Sequence, residues 1–204
     1  MPEILLVRHG RTELNDPSNE KIRGYSDVPI SYEGKRGTLE AAEFIAKQKF
    51  PIQRILSTPL QRGIMTASLI AEKINAKVIP NQGLLPWNLG HLTGKPVSEA
   101  AKVMDYLQEF FDIKAPEGES YRSFYTRWAE TIDLMLFYAE QHPDETLVAV
   151  VHSRNLLALP SILGDRQIGD VPVKGGPGPE SITRISHDDN GNWKFETIWD
   201  KGNN

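Results

Sequence analysis

Short segments rich in apolar residues recur along the chain and are separated by longer stretches with helical periodicity. Four of these segments predict strands, over residues 3–8, 52–57, 76–80 and 146–151. The continuous apolar run of the first is typical of a strand covered on both faces, as in a parallel sheet. The intervening periodicity predicts helices over residues 32–48, 59–75, 97–111, 120–142 and 155–163.

The last part of the chain contains two further segments that predict strands, SITRIS at 181–186 and WKFETIW at 193–199. The turn HDDNGN joins them, which is typical of a hairpin. The strands and helices that alternate before it favour an α/β fold with a mainly parallel central sheet, helices on both faces and a C-terminal hairpin. No repeat or linker divides the chain, so we expect a single domain over residues 1–204.

The second predicted helix has a recognisable start in the sequence STPLQR. We expect Thr58 to be its N-cap, Pro59 its first residue, and Gln61 the partner that completes a capping box. Amide groups near Leu60 would then lie at a helix N-terminus, where they favour binding of an anion.

Two of the predicted strands each end in a histidine. The first strand continues into Arg8 and His9, and the fourth continues into His152. In α/β sheets, ligands bind beyond the carboxyl ends of the strands. Arg62 follows the second strand at the same edge, so these four side chains are expected to share one crevice.

The residues that accompany the two histidines indicate phosphate rather than metal. No His-x-x-x-His pair is present, and no carboxylate cluster lies beside either histidine. Arginine is a poor neighbour for a cation, but it binds phosphate through planar, bidentate hydrogen bonds. An imidazole between arginines is placed to attack phosphorus, while the guanidinium groups stabilise charge on the phosphoryl oxygens. The residues predict phosphoryl transfer to His9 without a metal or an organic cofactor.

The composition restricts the partners of the protein. The net charge of −4 and the isoelectric point near 5.8 argue against nucleic-acid binding, so an anionic substrate needs a local basic pocket. The chain has no cysteine, which excludes disulfides and thiolate metal sites. It has no signal-peptide pattern and no apolar run near the roughly 20 residues that cross a bilayer. We expect a cytoplasmic protein with a small phosphorylated substrate and no membrane partner; the sequence does not indicate an oligomeric state.

A resemblance to a known family rests on five segments that occur in order over about residues 3–158. They are LVRHGRTELN, GYSDVPISYEG, STPLQRGIMTA, PEGESYRSF and VVHSRNL. This set resembles the histidine phosphatase, or phosphoglycerate mutase-like, superfamily. The resemblance implies that His9 is the phosphorylated nucleophile. It also implies that the phosphate is held by Arg8, Arg62, His152 and Asn15.

Two of these positions have alternative interpretations. Asn15 could instead cap the adjacent turn. Family members usually carry glycine after the second histidine, whereas this chain has Ser153, whose backbone N–H is expected to make the same contact.

The segment LLPWNLGHLTG departs from the family at one position. It resembles the element that carries the family's general-acid glutamate, but this chain has Pro86 there. Proline cannot protonate a leaving alkoxide, and general acid–base catalysis contributes roughly 100- to 10,000-fold to a rate. Glu119 is the first candidate for a replacement, with His91 and Asp27 after it. Alternatively, the substrate has a leaving group that needs little protonation, or the protein binds phosphate compounds without turnover.

The sequence thus favours a metal-independent phosphomonoester hydrolase that acts through a phosphohistidine on His9. The alternatives are a non-catalytic phosphate-binding or regulatory protein and, less favoured because of Pro86, a phosphoglycerate mutase. Specificity is expected from the loops over residues 80–120 and from VKGGPGPE. Substrate contacts are assigned to Asn15, Ser153, Asp27 and Trp87.

Overall fold

The strands of the protein form one mixed sheet. The computed structural model describes residues 1–16, 18, 20–164, 167–171 and 175–201. Its strands are β1 (Glu3–Arg8), β2 (Arg54–Ser57), β3 (Lys77–Pro80), β4 (Thr146–Val151), β5 (Ile182–His187) and β6 (Trp193–Trp199). They lie in the order β3-β2-β4-β1-β5-β6. The first four strands are parallel, and β5 and β6 form an antiparallel hairpin beside β1. The predicted mainly parallel sheet with its hairpin is confirmed.

Helices cover both faces of the sheet. They are α1 (Tyr32–Gln48), α2 (Gln61–Ile74), α3 (Val97–Glu109), α4 (Tyr121–Gln141) and α5 (Ser153–Leu163). One apolar cluster joins α1 and α2 to one face, and a larger cluster joins α3, α4 and α5 to the other. In the described part of the chain, none of the helices has the length and apolarity that crossing a membrane requires.

The two central strands contribute side chains to both clusters. In β1, Ile4 and Leu6 belong to the cluster under α4, whereas Leu5 and Val7 belong to the cluster under α1 and α2. All four are fully buried. Successive strand residues point to opposite faces, so a strand covered on both sides needs an apolar residue at every position. This explains the uninterrupted runs in the sequence.

Most predicted element boundaries agree with the structure within two residues, and the differences lie at the ends. The strand predicted over 52–57 starts at Arg54, and the helix predicted over 97–111 ends at Glu109. The helix predicted from residue 155 already begins at Ser153. The irregular loop after β3 contains two 3₁₀ turns, Gln82–Leu84 and Gly90–Leu92.

The predicted start of α2 is wrong. The helix begins at Gln61, with Leu60 as its N-cap. Thr58 lies three residues before the helix, directly after β2, and its amide donates to the Val150 carbonyl at 3.4 Å. Asp27 caps the helix instead, since its Oδ1 accepts from the Gln61 amide at 2.6 Å. A carboxylate from a distant loop thus replaces the local capping box.

The loop that follows β1 lies directly against α1. A Cβ atom at Gly34 in the first turn of α1 would stand 2.0 Å from the Arg11 carbonyl oxygen. The same oxygen accepts from the Ser31 amide at 2.8 Å, which leaves it little freedom to move. Glycine at position 34 therefore allows the helix to hold the loop that carries His9 and Gly10.

We expect Gly34→Ala to lower the free energy of unfolding by roughly 2 kcal/mol or more, because the backbone contact outweighs the better helix propensity of alanine. Urea denaturation measures this change. Lys35→Ala, one residue later on the exposed side of α1, should change it by about 0.5 kcal/mol or less. Equal effects of the two substitutions would contradict the proposed contact.

Candidate active site

The pairing of β1 with β4 brings the two histidines together. The register places Arg8 opposite Val151, and the His9 amide donates to the Val151 carbonyl at 3.0 Å. His9 and His152 therefore leave the sheet side by side, with their ring centroids 4.9 Å apart and tilted by 60°. Both are buried, and only 2% of His9 and 3% of His152 are exposed.

The backbone determines which nitrogen of His9 can react. Nδ1 lies 2.8 Å from the carbonyl oxygen of Gly10. Because a carbonyl only accepts, Nδ1 carries the proton, and the lone pair of a neutral ring resides on Nε2. Burial, followed by repulsion from Arg62 and Arg8, holds the pKa of His9 well below its usual value. His9 is accordingly a neutral imidazole at physiological pH, which is the nucleophilic form.

His152 presents a donor at the same site. Its Nδ1 accepts from Nε of Arg62 at 3.4 Å, which leaves the proton on Nε2. That Nε2 is buried, and no group in the described part of the chain accepts from it. Burial and then Arg62 hold the pKa of His152 well below normal. Helix α5 begins at Ser153, so the positive end of its dipole adds to the positive potential around His152.

Arg62 is clamped by the loop that precedes α1. Its Nη1 donates to the Ser26 carbonyl at 2.6 Å and its Nη2 to the Gly24 carbonyl at 2.8 Å. The hydroxyl of Thr66 donates to the Arg62 carbonyl at 2.7 Å and accepts from the Gly10 amide at 2.9 Å. Thr66 thereby joins the helix that carries Arg62 to the loop that carries His9.

Arg8 completes the predicted set on the other side of His9. Its Nη1 donates to the Pro177 carbonyl at 2.6 Å, whereas its buried Nε has no acceptor among the described residues. Burial lowers the pKa of Arg8 to about 10, with a further contribution from Arg23. Burial and Arg23 likewise lower the pKa of Arg62 to about 10. Both guanidinium groups remain charged at neutral pH.

Arg23 is a residue that the sequence analysis missed. Its Nη1 donates to the Leu14 carbonyl at 3.2 Å and lies 3.6 Å from Oε1 of Glu20. Arg23 lines the same cavity as the two histidines and the two other arginines, and its charge contributes to lowering the pKa of all four. The available signal was a basic residue in EKIRGYSD, just before a segment that carries the family resemblance.

These side chains line one cavity of about 490 Å³ at the carboxyl ends of β1 and β4. Trp87 and Ser153 lie on its wall, where the sequence analysis had expected substrate contacts, and so does Pro86. Four arginines and a lysine give the wall its positive charge, namely Arg8, Lys21, Arg23, Arg62 and Arg154. An acidic protein therefore contains the local basic pocket that a phosphorylated ligand needs.

Two residues that were expected to contact substrate make supporting contacts in the structure. The Oδ1 of Asn15 accepts from the Thr12 amide at 2.9 Å and from the Thr12 hydroxyl at 3.1 Å, so Asn15 caps its own turn. Asp27 uses its carboxylate to cap α2, as described above, and thereby occupies the amide expected to bind an anion. Neither side chain belongs to the described wall of the cavity. Sequence proximity to the site did not distinguish supporting residues from lining residues.

The contacts of Glu119 and His91 argue against their expected role as proton donors. The Oε1 of Glu119 accepts from Nη2 of Arg127 and from the Asn88 amide, both at 2.8 Å. His91 is exposed and pairs with Glu117, with 2.9 Å between Nε2 and Oε2. Neither belongs to the described wall of the cavity. Glu119 holds the loop around Trp87, because its backbone carbonyl also accepts from the Trp87 indole at 3.0 Å.

Part of the expected specificity loop VKGGPGPE falls outside the described residues, at positions 173 and 174. Gly175 of this loop lies on the cavity wall. Within the described ranges, no group of three or more acidic or histidine side chains is arranged to hold a metal ion.

Comparison with known families agrees with this geometry. The model of the histidine phosphatase superfamily (branch 1) matches residues 4–201. The chain belongs to this superfamily. The resemblance deduced from the sequence segments is therefore confirmed.

Relatives within the superfamily include phosphatases and mutases. The chain is 29% identical to the uncharacterized phosphatase PhoE of Bacillus subtilis over 102 residues, which are 50% of the chain and 51% of PhoE. It is 28% identical to the probable phosphoglycerate mutase GpmB of Serratia proteamaculans over 145 residues, 69% of the chain and 66% of GpmB. The matches thus span about half to two thirds of these relatives.

Solved structures reproduce the fold over almost the whole chain. A mycobacterial glucosyl-3-phosphoglycerate phosphatase, solved in complex with VO3, superimposes with a TM-score of 0.79 at 24% identity. The match covers 98% of this chain and 99% of the mycobacterial one. The likeness establishes the architecture.

The buried neutral histidines make stability depend on pH. In the unfolded chain each histidine takes up a proton near pH 6.5, whereas in the folded protein its pKa lies well below that value. Stability is complete above about pH 6.5 and falls as the pH decreases below it, because only the unfolded state binds the proton. Each histidine should contribute about 1.4 kcal/mol per pH unit to this fall.

Urea denaturation between pH 6.5 and 5.5 tests this expectation. Over this interval the unfolding free energy of His9→Gln should fall by about 1 kcal/mol less than that of the unsubstituted protein, because the imidazole of the unfolded chain is already half protonated at pH 6.5. His142→Gln, at an exposed position after α4, provides the matched control and should leave the slope unchanged. An unchanged slope in His9→Gln would show that His9 is protonated in the folded state.

Proposed function

We propose that this protein is a metal-independent phosphomonoester hydrolase that forms a phosphohistidine on His9. The observation that carries the proposal is the position of one neutral imidazole among several guanidinium groups on the wall of a single cavity. Membership of the superfamily supports a phosphatase or mutase-like enzyme. The finer assignment rests on the chemistry of these residues.

In the first step, Nε2 of His9 attacks phosphorus while the bond to the leaving oxygen breaks. The proton on Nδ1 stays in its hydrogen bond to the Gly10 carbonyl, so the phosphorylated ring carries a positive charge that this carbonyl stabilises. The Nε of Arg8 and the Nε2 of His152 are buried donors that lack acceptors among the described residues. Phosphoryl oxygens would supply those acceptors, which favours binding of the group that reacts.

In the second step, water attacks the phosphohistidine and releases inorganic phosphate. The positive ring makes His9 a good leaving group, and the same guanidinium groups stabilise the charge on the phosphoryl oxygens. These groups are held before substrate arrives, because Arg62 is clamped by the carbonyls of Gly24 and Ser26. Preorganised charge lowers the barrier without a reorganisation cost during the reaction.

A second candidate function, phosphate-ligand binding without turnover, is favoured by one observation. Pro86 lies on the cavity wall where the family resemblance places the general-acid glutamate. Such a protein would bind phosphate compounds without phosphorylation of His9. A mutase is less favoured, since transfer between alkyl hydroxyls needs an acid and a base for every exchange.

Hydrolysis of p-nitrophenyl phosphate tests the nucleophile, because this aryl oxide leaves without a proton. We expect turnover in the presence of EDTA and a loss of about a thousandfold or more in His9→Ala. His142→Ala, which removes an exposed histidine far from the cavity wall, is the matched control and should retain full activity.

Rapid quenching of the same reaction should trap an acid-labile phosphoryl group on the unsubstituted protein and none on His9→Ala. Turnover that survives in His9→Ala would contradict the assigned nucleophile. Tight binding of inorganic phosphate without turnover or a trapped phosphoryl group would support the non-catalytic candidate.

A further inference from the structure

Within the proposed hydrolase reaction, we propose that Glu20 is the catalytic proton donor to the leaving group. An alkoxide is a poor leaving group at neutral pH unless a positioned acid protonates it as the bond to phosphorus breaks. Glu20 contributes the one carboxyl group found on the described part of the cavity wall. The acid that Pro86 cannot provide thus enters the cavity from a different loop.

The backbone around Glu20 is held at the rim of the cavity. The Glu20 carbonyl accepts from the Val97 amide at 2.9 Å, at the first residue of α3. The next amide, that of Lys21, donates to the Leu14 carbonyl at 3.2 Å, and the Ile22 amide donates to the Lys95 carbonyl at 2.9 Å. The backbone of residues 20–22 is therefore hydrogen-bonded to two neighbouring segments, which fixes the position from which the Glu20 side chain extends.

The charges beside Glu20 connect it to the phosphoryl site. Its Oε1 lies 3.6 Å from Nη1 of Arg23, and its charge also acts on Arg8. Both guanidinium groups border the two histidines. The side chain is 45% exposed, which allows it to exchange protons with water.

The other nearby carboxyl groups lie off the described cavity wall. Glu119 pairs with Arg127, and Asp27 caps α2. Glu180 accepts from the Arg11 amide at 2.6 Å, and it does not belong to the described cavity wall. The wall also holds Lys21, whose ammonium group is a much weaker acid than a carboxyl group, and His152, whose Nε2 proton is assigned above to a phosphoryl oxygen.

The proton that Glu20 gives up in the first step is returned to it in the second. In the first, Glu20 gives its proton to the leaving oxygen as Nε2 of His9 bonds to phosphorus, which yields the alcohol, the phosphohistidine and the Glu20 carboxylate. In the second, the carboxylate accepts a proton from the attacking water as the bond between nitrogen and phosphorus breaks. Inorganic phosphate leaves, His9 is neutral again, and Glu20 is protonated for the next cycle.

A comparison of two esters isolates this role from phosphate binding. With Glu20→Gln, we expect kcat/KM for an alkyl phosphate such as glycerol 2-phosphate to fall about 100-fold or more. For p-nitrophenyl phosphate it should change by less than about threefold, because the aryl oxide needs no proton.

Three matched variants control for charge and position. Glu13→Gln removes an exposed glutamate from the neighbouring turn and should change neither ester. Glu119→Gln should leave the ratio of the two rates unchanged, since Glu119 lies off the described cavity wall. Lys21→Gln should likewise act on both esters alike; a loss confined to the alkyl ester in this variant would assign the donor to Lys21 and overturn the proposal.

The outcomes separate this inference from the proposed function. Equal losses of activity on both esters in Glu20→Gln would show that Glu20 only positions Arg23, and they would overturn the assignment of Glu20 as the proton donor. Turnover of the aryl ester that depends on His9, with no alkyl turnover above background, would also overturn it while the hydrolase proposal stands. Absence of turnover with either ester would contradict both.

Discussion

The parallel pairing of β1 with β4 is the constraint on which the site depends. One hydrogen bond beyond the last paired residues, from the His9 amide to the Val151 carbonyl, sets the two histidines side by side. A shift of the register by one residue would turn alternate apolar side chains to the wrong faces and separate the histidines. The same apolar packing that stabilises the sheet therefore also sets the geometry of the candidate nucleophile and its neighbour.

The buried guanidinium groups around this pair donate hydrogen bonds to backbone carbonyls. Gly24 and Ser26 accept from Arg62, and Pro177 accepts from Arg8. The carbonyls orient the guanidinium groups but do not neutralise their charge. Together with burial, that charge lowers the pKa of both histidines and keeps them neutral. The same charge favours binding of an anion in the cavity. Nucleophile activation and phosphate binding thus have one physical origin.

Some polar residues of the loops around the cavity line its wall, whereas others hold the loops in place. Residues 20–24 provide the cavity wall with a carboxyl group, a lysine and an arginine, and they pair with the segment before α3. Asp27, only three residues later, points to the start of α2 and supports the site from outside. Glu119 similarly supports the loop of Trp87. Polar residues close to a site in sequence therefore serve two purposes that their identities alone do not separate.

The order of elements, the double-sided strands and the core of the site could be read from the sequence, because strand periodicity and the residues at strand ends are local properties. His9, Arg8, Arg62 and His152 were found for that reason. The cap of α2 and the roles of Arg23 and Glu20 could not, because each depends on a contact between loops that are distant along the chain. Asp27 reaches α2 across 34 residues, whereas Thr58 lies three residues before the helix and its amide donates to the Val150 carbonyl. Local chemistry thus specifies the sheet and its histidines, whereas tertiary packing decides which loop side chains enter the cavity.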